Sequence, residues 1–360
     1  MKRGVAATLA LLIVVALVFD RHYRFFDMAI YQGAVRWWLA GGDLYGYHAP
    51  VRGALGFTYP PFAAILLLPA ALVPLKVAGW VITASSLLAL AVTLRSKPLV
   101  FVAALAMEPV RQTLGLGQVN LLLLALVVLD LTVLPKRWRG VGVGIATAIK
   151  LTPGLFIVYL LVTRQWRAAG VAVATVTTLT AASLLVAPRE SLRYFGDLMW
   201  HTARVGEADA VANQSLAGLL ARLAGSHTAP TGAWLVCCAV ALVAGLRRAS
   251  QAHAYGEELT ALALTGLTAN LITPVAWTHH LVFLPPALLV LARSRDRLDV
   301  VAAALCYLLS VLSPIWWSDR ASETFVLMAI FLVWRLPVAP RLPAVVAESA
   351  PSEPMTVGHR

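Results

Sequence analysis

Apolar residues fill this chain in long runs, and polar residues are confined to short breaks between them. The runs Val5 to Phe19, Val119 to Leu134 and Ala168 to Ala187 are long enough, or nearly so, to cross a hydrocarbon core of about 30 Å as helices. Beyond residue 97, spans including the latter two are predicted near residues 98–107, 118–134, 168–187, 231–246, 258–272, 281–293, 298–314 and 322–335. Inside lipid every backbone amide and carbonyl must be satisfied within the protein, which selects helices for such segments. The pattern predicts an all-α polytopic membrane protein with about 10 transmembrane helices plus juxtamembrane or re-entrant ones. One transmembrane domain is expected over residues 1–335, with a first outer loop at 20–60. The tail over 336–360 is rich in Pro, Ala and Ser and is expected to be disordered.

Two stretches break the alternation. Only Gly140 to Thr163 separates two basic clusters, and Lys150-Leu151-Thr152-Pro153-Gly154 lies at its centre. Proline removes an amide donor and glycine tolerates unusual dihedrals, so the stretch predicts two short helices forming a hairpin with Lys150 near its tip. Between Pro60 and Leu94, Pro69 and Pro74 interrupt the apolar run. That predicts a juxtamembrane or re-entrant outer helix followed by one span from Val77 to Leu94.

Composition agrees with a membrane solvent. Of 360 residues, 60% are hydrophobic and 13% charged, and the mean hydropathy is +0.79. A water-soluble domain carries about a quarter charged residues. The net charge of +12 does not point to nucleic acid, because the Lys and Arg residues fall in short clusters between apolar runs. These include Arg95/Lys97, Lys136/Arg137/Arg139, Arg164/Arg167, Arg247/Arg248 and Arg293/Arg295/Arg297. The positive-inside rule assigns each cluster to the cytoplasm and the segment Asp20 to Tyr59 to the outside. Cys237, Cys238 and Cys306 lie within apolar runs and read as packing residues.

With that sidedness, the outer segments collect most of the carboxylates, histidines and aromatics, which marks that face for a site. Asp27 follows Arg24-Phe25-Phe26 and opens a helical pattern. It reads either as an N-cap or as a carboxylate held near the membrane surface to accept a proton from a hydroxyl. Lys150 sits in an apolar setting at a cost of about 2.5–3.5 kcal/mol, which calls for a function, a partner or snorkelling. His279 and His280 begin the span near 281–293, where one of two adjacent helical residues faces a groove, and that one can hydrogen-bond or charge-pair with a lipid phosphate. No companion ligands stand at metal spacing, so no metal or other cofactor is expected. Asp130 is expected to pair with Lys136 or Arg137. Trp37, Trp38, Trp316 and Trp317 read as interfacial-belt residues ahead of sugar stacking.

Several motifs, in order, resemble glycosyltransferase family 87. They are Phe26-Asp27 to Tyr31, Gly42-Asp43-Leu44-Tyr45, Phe57-Thr58-Tyr59-Pro60-Pro61, Gly117-Gln118-Val119-Asn120, Ile149 to Gly154, and Asn213-Gln214-Ser215-Leu216. The resemblance implies a GT-C membrane fold. It also implies inverting transfer of a sugar, most often mannose, from a polyprenyl-phosphate donor to a glycolipid or lipoglycan hydroxyl on the outer face of the plasma membrane. It puts Asp27 in the place of the general base. Lys150, His279, His280 and Arg204 become candidates for the donor phosphate. Tyr31, Asp43, Tyr45, Tyr59, Gln118, Asn120, Asn213 and Ser215 become candidates for substrate contact, although Asp43 also suits a turn. Arabinofuranosyl transfer by the same mechanism and a lipid-linked sugar transporter remain as alternatives. A transporter favours repeated halves and midplane charges. The chain shows no repeat, and only Lys150 and Asp130 lean that way.

Overall fold

The computed structural model describes residues 24–50, 55–95 and 98–339. The predicted first span and the tail from residue 340 onward lie outside the described residues. Among those described there is no β-strand, only one isolated antiparallel bridge between Asn213 and Trp277. The helices run in the order α1 (Phe26–Leu39), α2 (Pro61–Leu66), α3 (Leu68–Ala71), α4 (Leu75–Leu94), α5 (Pro98–Ala106), α6 (Glu108–Leu116), α7 (Asn120–Thr132), α8 (Val141–Ile149) and α9 (Leu155–Val162). They continue with α10 (Trp166–Val186), α11 (Pro188–Gly196), α12 (Leu216–Leu223), α13 (Thr231–Ala254), α14 (Glu258–Ile272), α15 (Leu284–Ala292), α16 (Arg297–Leu312) and α17 (Thr324–Arg335). Proline opens many of them, including α2, α6, α11 and α15, where its missing amide falls on a turn that needs no donor.

Four helical segments among the described residues are long and apolar enough to cross a membrane: Leu75–Leu94, Trp166–Val186, Thr231–Ala254 and Arg297–Trp316. A fifth arises if α5 and α6, bent by 74° at Met107, count as one broken span. The apolar runs predict about ten over the whole chain, of which the first lies outside the described residues. Helices α7 and α14 are apolar but short, and at about 1.5 Å per residue neither reaches across a core of about 30 Å. Helix α14 is buried along nearly its whole length, so its apolar sequence reflects a protein core and not contact with lipid. Hydropathy alone does not separate those two settings. Residues 188–230, between two of the predicted spans, contain helices α11 and α12.

The hairpin over 140–163 is present. Helices α8 and α9 flank a break at Lys150-Leu151 and a 3-10 turn at Thr152–Gly154. Both ends of this stretch meet the start of α10. Gly140, at φ +104, lies so close to α10 that an added Cβ would stand 2.1 Å from the Ala168 carbonyl, and α9 runs on through Arg164 into the same helix. The base is pinned by Asp130, whose carboxylate accepts the Gly140 amide at 2.8 and 3.0 Å and the Val143 amide at 3.1 Å. Asp130 is thus a helix cap for α8 and not the partner of Lys136 or Arg137. The amides exposed at a helix start attract a carboxylate as strongly as a basic side chain does. The segment 60–94 also forms as expected, with short α2 and α3 leading into the span α4.

The entry to α1 is strained. Phe25 adopts a left-handed conformation, φ 46, uncommon for a residue with a large side chain. Its amide donates to the Gly115 carbonyl at 3.1 Å, and its ring meets Trp80 edge-on at 5.5 Å. Gly79 leaves room for that ring, since a Cβ there would lie 2.3 Å from it. This knot ties the first turn of α1 to the end of α6 and sets Asp27 against the Gly117-Gln118 turn.

Candidate active site

Asp27 sits in the first turn of α1, behind Phe25, and caps no helix amide. The N-cap reading is therefore replaced by a tertiary contact: Gln118 Nε2 donates to Asp27 Oδ2 at 2.5 Å. The same nitrogen donates to the Tyr31 hydroxyl at 2.9 Å, and Gln118 Oε1 accepts from the Tyr59 hydroxyl at 2.7 Å. The Tyr31 and Tyr59 rings lie 4.9 Å apart. One buried amide thus fixes three side chains from two segments, α1 and the stretch before α2. Burial pushes the Asp27 carboxyl up to about 6, while the Gln118 hydrogen bond and the Lys150 charge hold it down. A carboxylate raised toward neutrality in this way suits proton abstraction near pH 7.

Asp27 lines a cavity of about 720 Å³. Tyr31, Tyr59, Gln118, Lys150, Arg204, His279 and His280 lie in its wall, so eight of the residues singled out by the sequence converge there. Lys150, at the hairpin tip, donates to Asn120 Oδ1 at 3.0 Å and stands 5.6 Å from the Tyr59 ring centroid. An ammonium has three protons, so donors remain for a ligand.

Both histidines reach the cavity, contrary to the expectation that only one could. They belong to a 3-10 turn, Thr278–His280, and not to the next helix, which starts at Leu284. Their rings meet at 89° with centroids 4.6 Å apart. His279 Nε2 lies 4.0 Å from Asp27 Oδ2 and has no hydrogen-bond partner in the structure. Burial, with the Lys150 charge, lowers His279 to about 3 and His280 well below its usual range. Neutral imidazoles hydrogen-bond to a phosphate but do not charge-pair with it. The backbone around them is fixed by Asn120 and Thr113, which both donate to the His279 carbonyl, and by Asn270, which donates to that of His280.

Arg204 also touches the cavity, and three of its five N–H donors are engaged by backbone. It bonds the carbonyls of Leu198, Phe57 and Thr58 at 3.2, 2.9 and 3.1 Å, and its guanidinium lies 5.5 Å from the Tyr45 ring and 5.8 Å from that of Tyr194. It staples two loops together, whereas Lys150 has one hydrogen bond and lies nearer Asp27, whose carboxyl its charge holds down.

The other candidates lie behind the wall. Asp43 caps the 3-10 turn Leu44–Gly46 through the Tyr45 amide and pairs with Arg193. The Tyr45 hydroxyl donates to the Tyr59 carbonyl at 2.9 Å. Asn120 links Lys150 to His279. Asn213 is fully buried, donates to the carbonyls of Ala208 and Pro274, and accepts from the amides of Ser215 and Ala276. Ser215 caps α12 and donates to the Pro274 carbonyl. These five lie outside the cavity lining, and the buried Asn213 and Ser215 side chains are consumed by backbone groups that no water reaches. Sequence reasoning missed Gln112, Tyr194 and Trp277. Only the aromatic character of the last two gave any signal.

Replacing Asn213 by Ala strands the buried Ala276 amide at a cost of about 1–3 kcal/mol and releases the segment carrying His279. The thermal midpoint in detergent is expected to fall, and Asn213→Asp, which keeps the acceptor, is expected to lose less. An unchanged midpoint contradicts this role.

No group of three or more His, Cys, Asp or Glu side chains suited to a metal gathers among the described residues.

Comparison with known proteins places this geometry. The chain is 30% identical to a polyprenol-phosphate-mannose-dependent alpha-(1-2)-phosphatidylinositol mannoside mannosyltransferase of Mycobacterium tuberculosis, over 88% of this chain and 86% of the relative. The protein of the same description in Mycolicibacterium smegmatis is 31% identical, over 83% and 77%. A polyprenol-phosphate-mannose-dependent alpha-(1-2)-phosphatidylinositol pentamannoside mannosyltransferase of M. tuberculosis is 32% identical, over 74% and 66%. No solved structure matches. The description of glycosyltransferase family 87 matches residues 57–274, more than half of the chain and the stretch that holds Tyr59, Gln118, Lys150 and Arg204. The chain belongs to glycosyltransferase family 87, and it is a membrane glycosyltransferase.

Proposed function

We propose that this enzyme transfers mannose from a polyprenyl-phosphate donor to a hydroxyl of a phosphatidylinositol mannoside or similar glycolipid, with inversion, on the outer face of the plasma membrane. The observation that carries the proposal is Asp27: a buried carboxylate, raised toward neutrality, fixed by Gln118 in the wall of a cavity that also holds Lys150. The sugar and the acceptor class follow from the names of the relatives. The outer face is supported by the basic clusters, which the positive-inside rule assigns to the cytoplasm.

The acceptor hydroxyl gives its proton to Asp27 as its oxygen attacks the anomeric carbon. The bond from that carbon to the phosphate oxygen breaks, and both electrons leave with polyprenyl phosphate. Positive charge builds on the sugar and negative charge on the leaving oxygen. Lys150 and the Nε2 proton of neutral His279 stabilise the latter. Attack opposite the phosphate converts a β-linked donor to an α-linked product. The leaving group is already a phosphate, so the scheme asks for no second acid and no metal.

Membranes containing the enzyme are incubated with radiolabelled polyprenyl-phosphate mannose and phosphatidylinositol dimannoside. The expected product is a glycolipid one mannose longer whose label an α-mannosidase releases. A label resistant to that enzyme, or transfer only from a polyprenyl-phosphate arabinofuranose donor, contradicts the assignment.

A further inference from the structure

The cavity wall carries a second organised patch that this chemistry does not use. Trp316 and Gln112 both line the cavity, and both are held by one buried carboxylate. Glu108 Oε1 accepts from Trp316 Nε1 at 2.6 Å and from Gln112 Nε2 at 3.0 Å. Glu108 Oε2 accepts from Arg111 at 2.8 Å and from the Ser313 hydroxyl at 2.9 Å. Glu108 is 3% exposed, whereas Trp316 is 51% exposed. The indole therefore has a fixed edge and an open face. Arg111 also donates to the Val311 carbonyl, so α6 is tied to the end of α16 and the turn Pro314–Trp316 that follows it.

Trp317 is a built-in comparison. It is 69% exposed, its indole donates to the Leu312 carbonyl at 3.2 Å, and it lies outside the cavity wall. It has what an interfacial-belt tryptophan requires, a ring in the headgroup region and a polar edge. Trp316 has more. Burying a carboxylate is costly unless each oxygen is satisfied, and a belt residue has no need of that expense. A preset ring gives up little rotamer freedom when a ligand arrives.

We propose that Trp316 and Gln112 form a carbohydrate subsite for the glycan of the acceptor, with Glu108 as its positioning residue. The proposal rests on the glycosyl-transfer reading and adds which wall reads the acceptor. The C–H face of a pyranose packs on the open indole face, whose π electrons attract the weakly positive hydrogens. Gln112 holds Glu108 through its nitrogen, which leaves its amide oxygen for a sugar hydroxyl.

The test uses the full chain in lipid nanodiscs, with octyl α-mannobioside as the probe. Binding is measured in an Asp27→Asn background, where no turnover intervenes, and KM is measured in the otherwise unaltered enzyme. Trp316→Leu is expected to weaken mannobioside binding and raise its KM about tenfold, with the donor KM unchanged within about twofold. Trp316→Phe, which keeps an aromatic face, is expected to lose less, and Trp317→Leu is expected to behave as the parent. Glu108→Gln is expected to fall between Trp316→Phe and Trp316→Leu. The proposal is overturned if the parent does not bind the mannobioside, if Trp316→Leu binds as the parent does, or if Trp317→Leu loses as much. Trp316-dependent binding without any sugar transfer would overturn the glycosyl-transfer reading and leave the subsite standing. Transfer indifferent to Trp316 would do the reverse.

Discussion

Asp27→Asn is expected to lower sugar transfer by about 10²–10⁴-fold, the usual span for loss of a general base. Asparagine has the same shape and still offers an oxygen to Gln118 Nε2, so the cavity and the Tyr31–Tyr59 pair should persist. Amount in the membrane and thermal midpoint should match the parent. In the parent, kcat/KM should rise with pH and level off above about 6, because the base acts ionised and burial places its carboxyl near that value. Activity is lost as pH falls through that point and the carboxyl takes up a proton. The variant should lack this limb. A pH profile with the limb intact in Asp27→Asn assigns it to another group and removes Asp27 from proton transfer.

Lys150→Met is expected to cost about 10²–10³-fold in kcat, the range for removing one preorganised donor from a developing oxyanion. Methionine fills a similar apolar volume and removes only the charge and its donors. Two further changes distinguish a phosphate role from general damage. Inhibition by free polyprenyl phosphate should weaken. The pH limb of the residual activity should also move upward, because the Lys150 charge holds the Asp27 carboxyl down and its removal lets burial act unopposed. Full activity in Lys150→Met would make the lysine a strut for Asn120. An unmoved limb would mean the two groups do not sense one another.

Much of this site was readable from sequence because the chemistry is concentrated in rare residues. A lysine beside Thr-Pro-Gly in an apolar stretch announces both a break and a charge, and the hairpin tip carries Lys150 into the cavity as that pattern implies. Asp27 stood out for its place just past the first predicted span. What could not be read was which polar residues face ligand and which face backbone. Asn213, Ser215 and Asn120 are the same residue types that bind sugars, yet here they satisfy carbonyls and amides of irregular segments. Arg204 was similarly ambiguous, because a half-buried guanidinium serves a phosphate or three carbonyls equally well. The pairing of both histidines followed from a 3-10 turn, and no local signal separates that from a helix start. Span number was not legible, because a helix enclosed by protein and one with an exposed apolar surface share one composition, as α14 shows against α10.

The claim at the centre of this account is that Asp27 removes a proton from the acceptor. A nucleophile that carries no proton bypasses that need. The measurement is the product formed from polyprenyl-phosphate mannose by Asp27→Ala, with the glycolipid acceptor alone and with added azide. The account predicts no transfer to the glycolipid hydroxyl and formation of α-mannosyl azide, since Lys150 and the donor site are intact. Transfer to the hydroxyl at the parental rate, or failure of azide to restore any reaction in a protein that still binds donor, would contradict it.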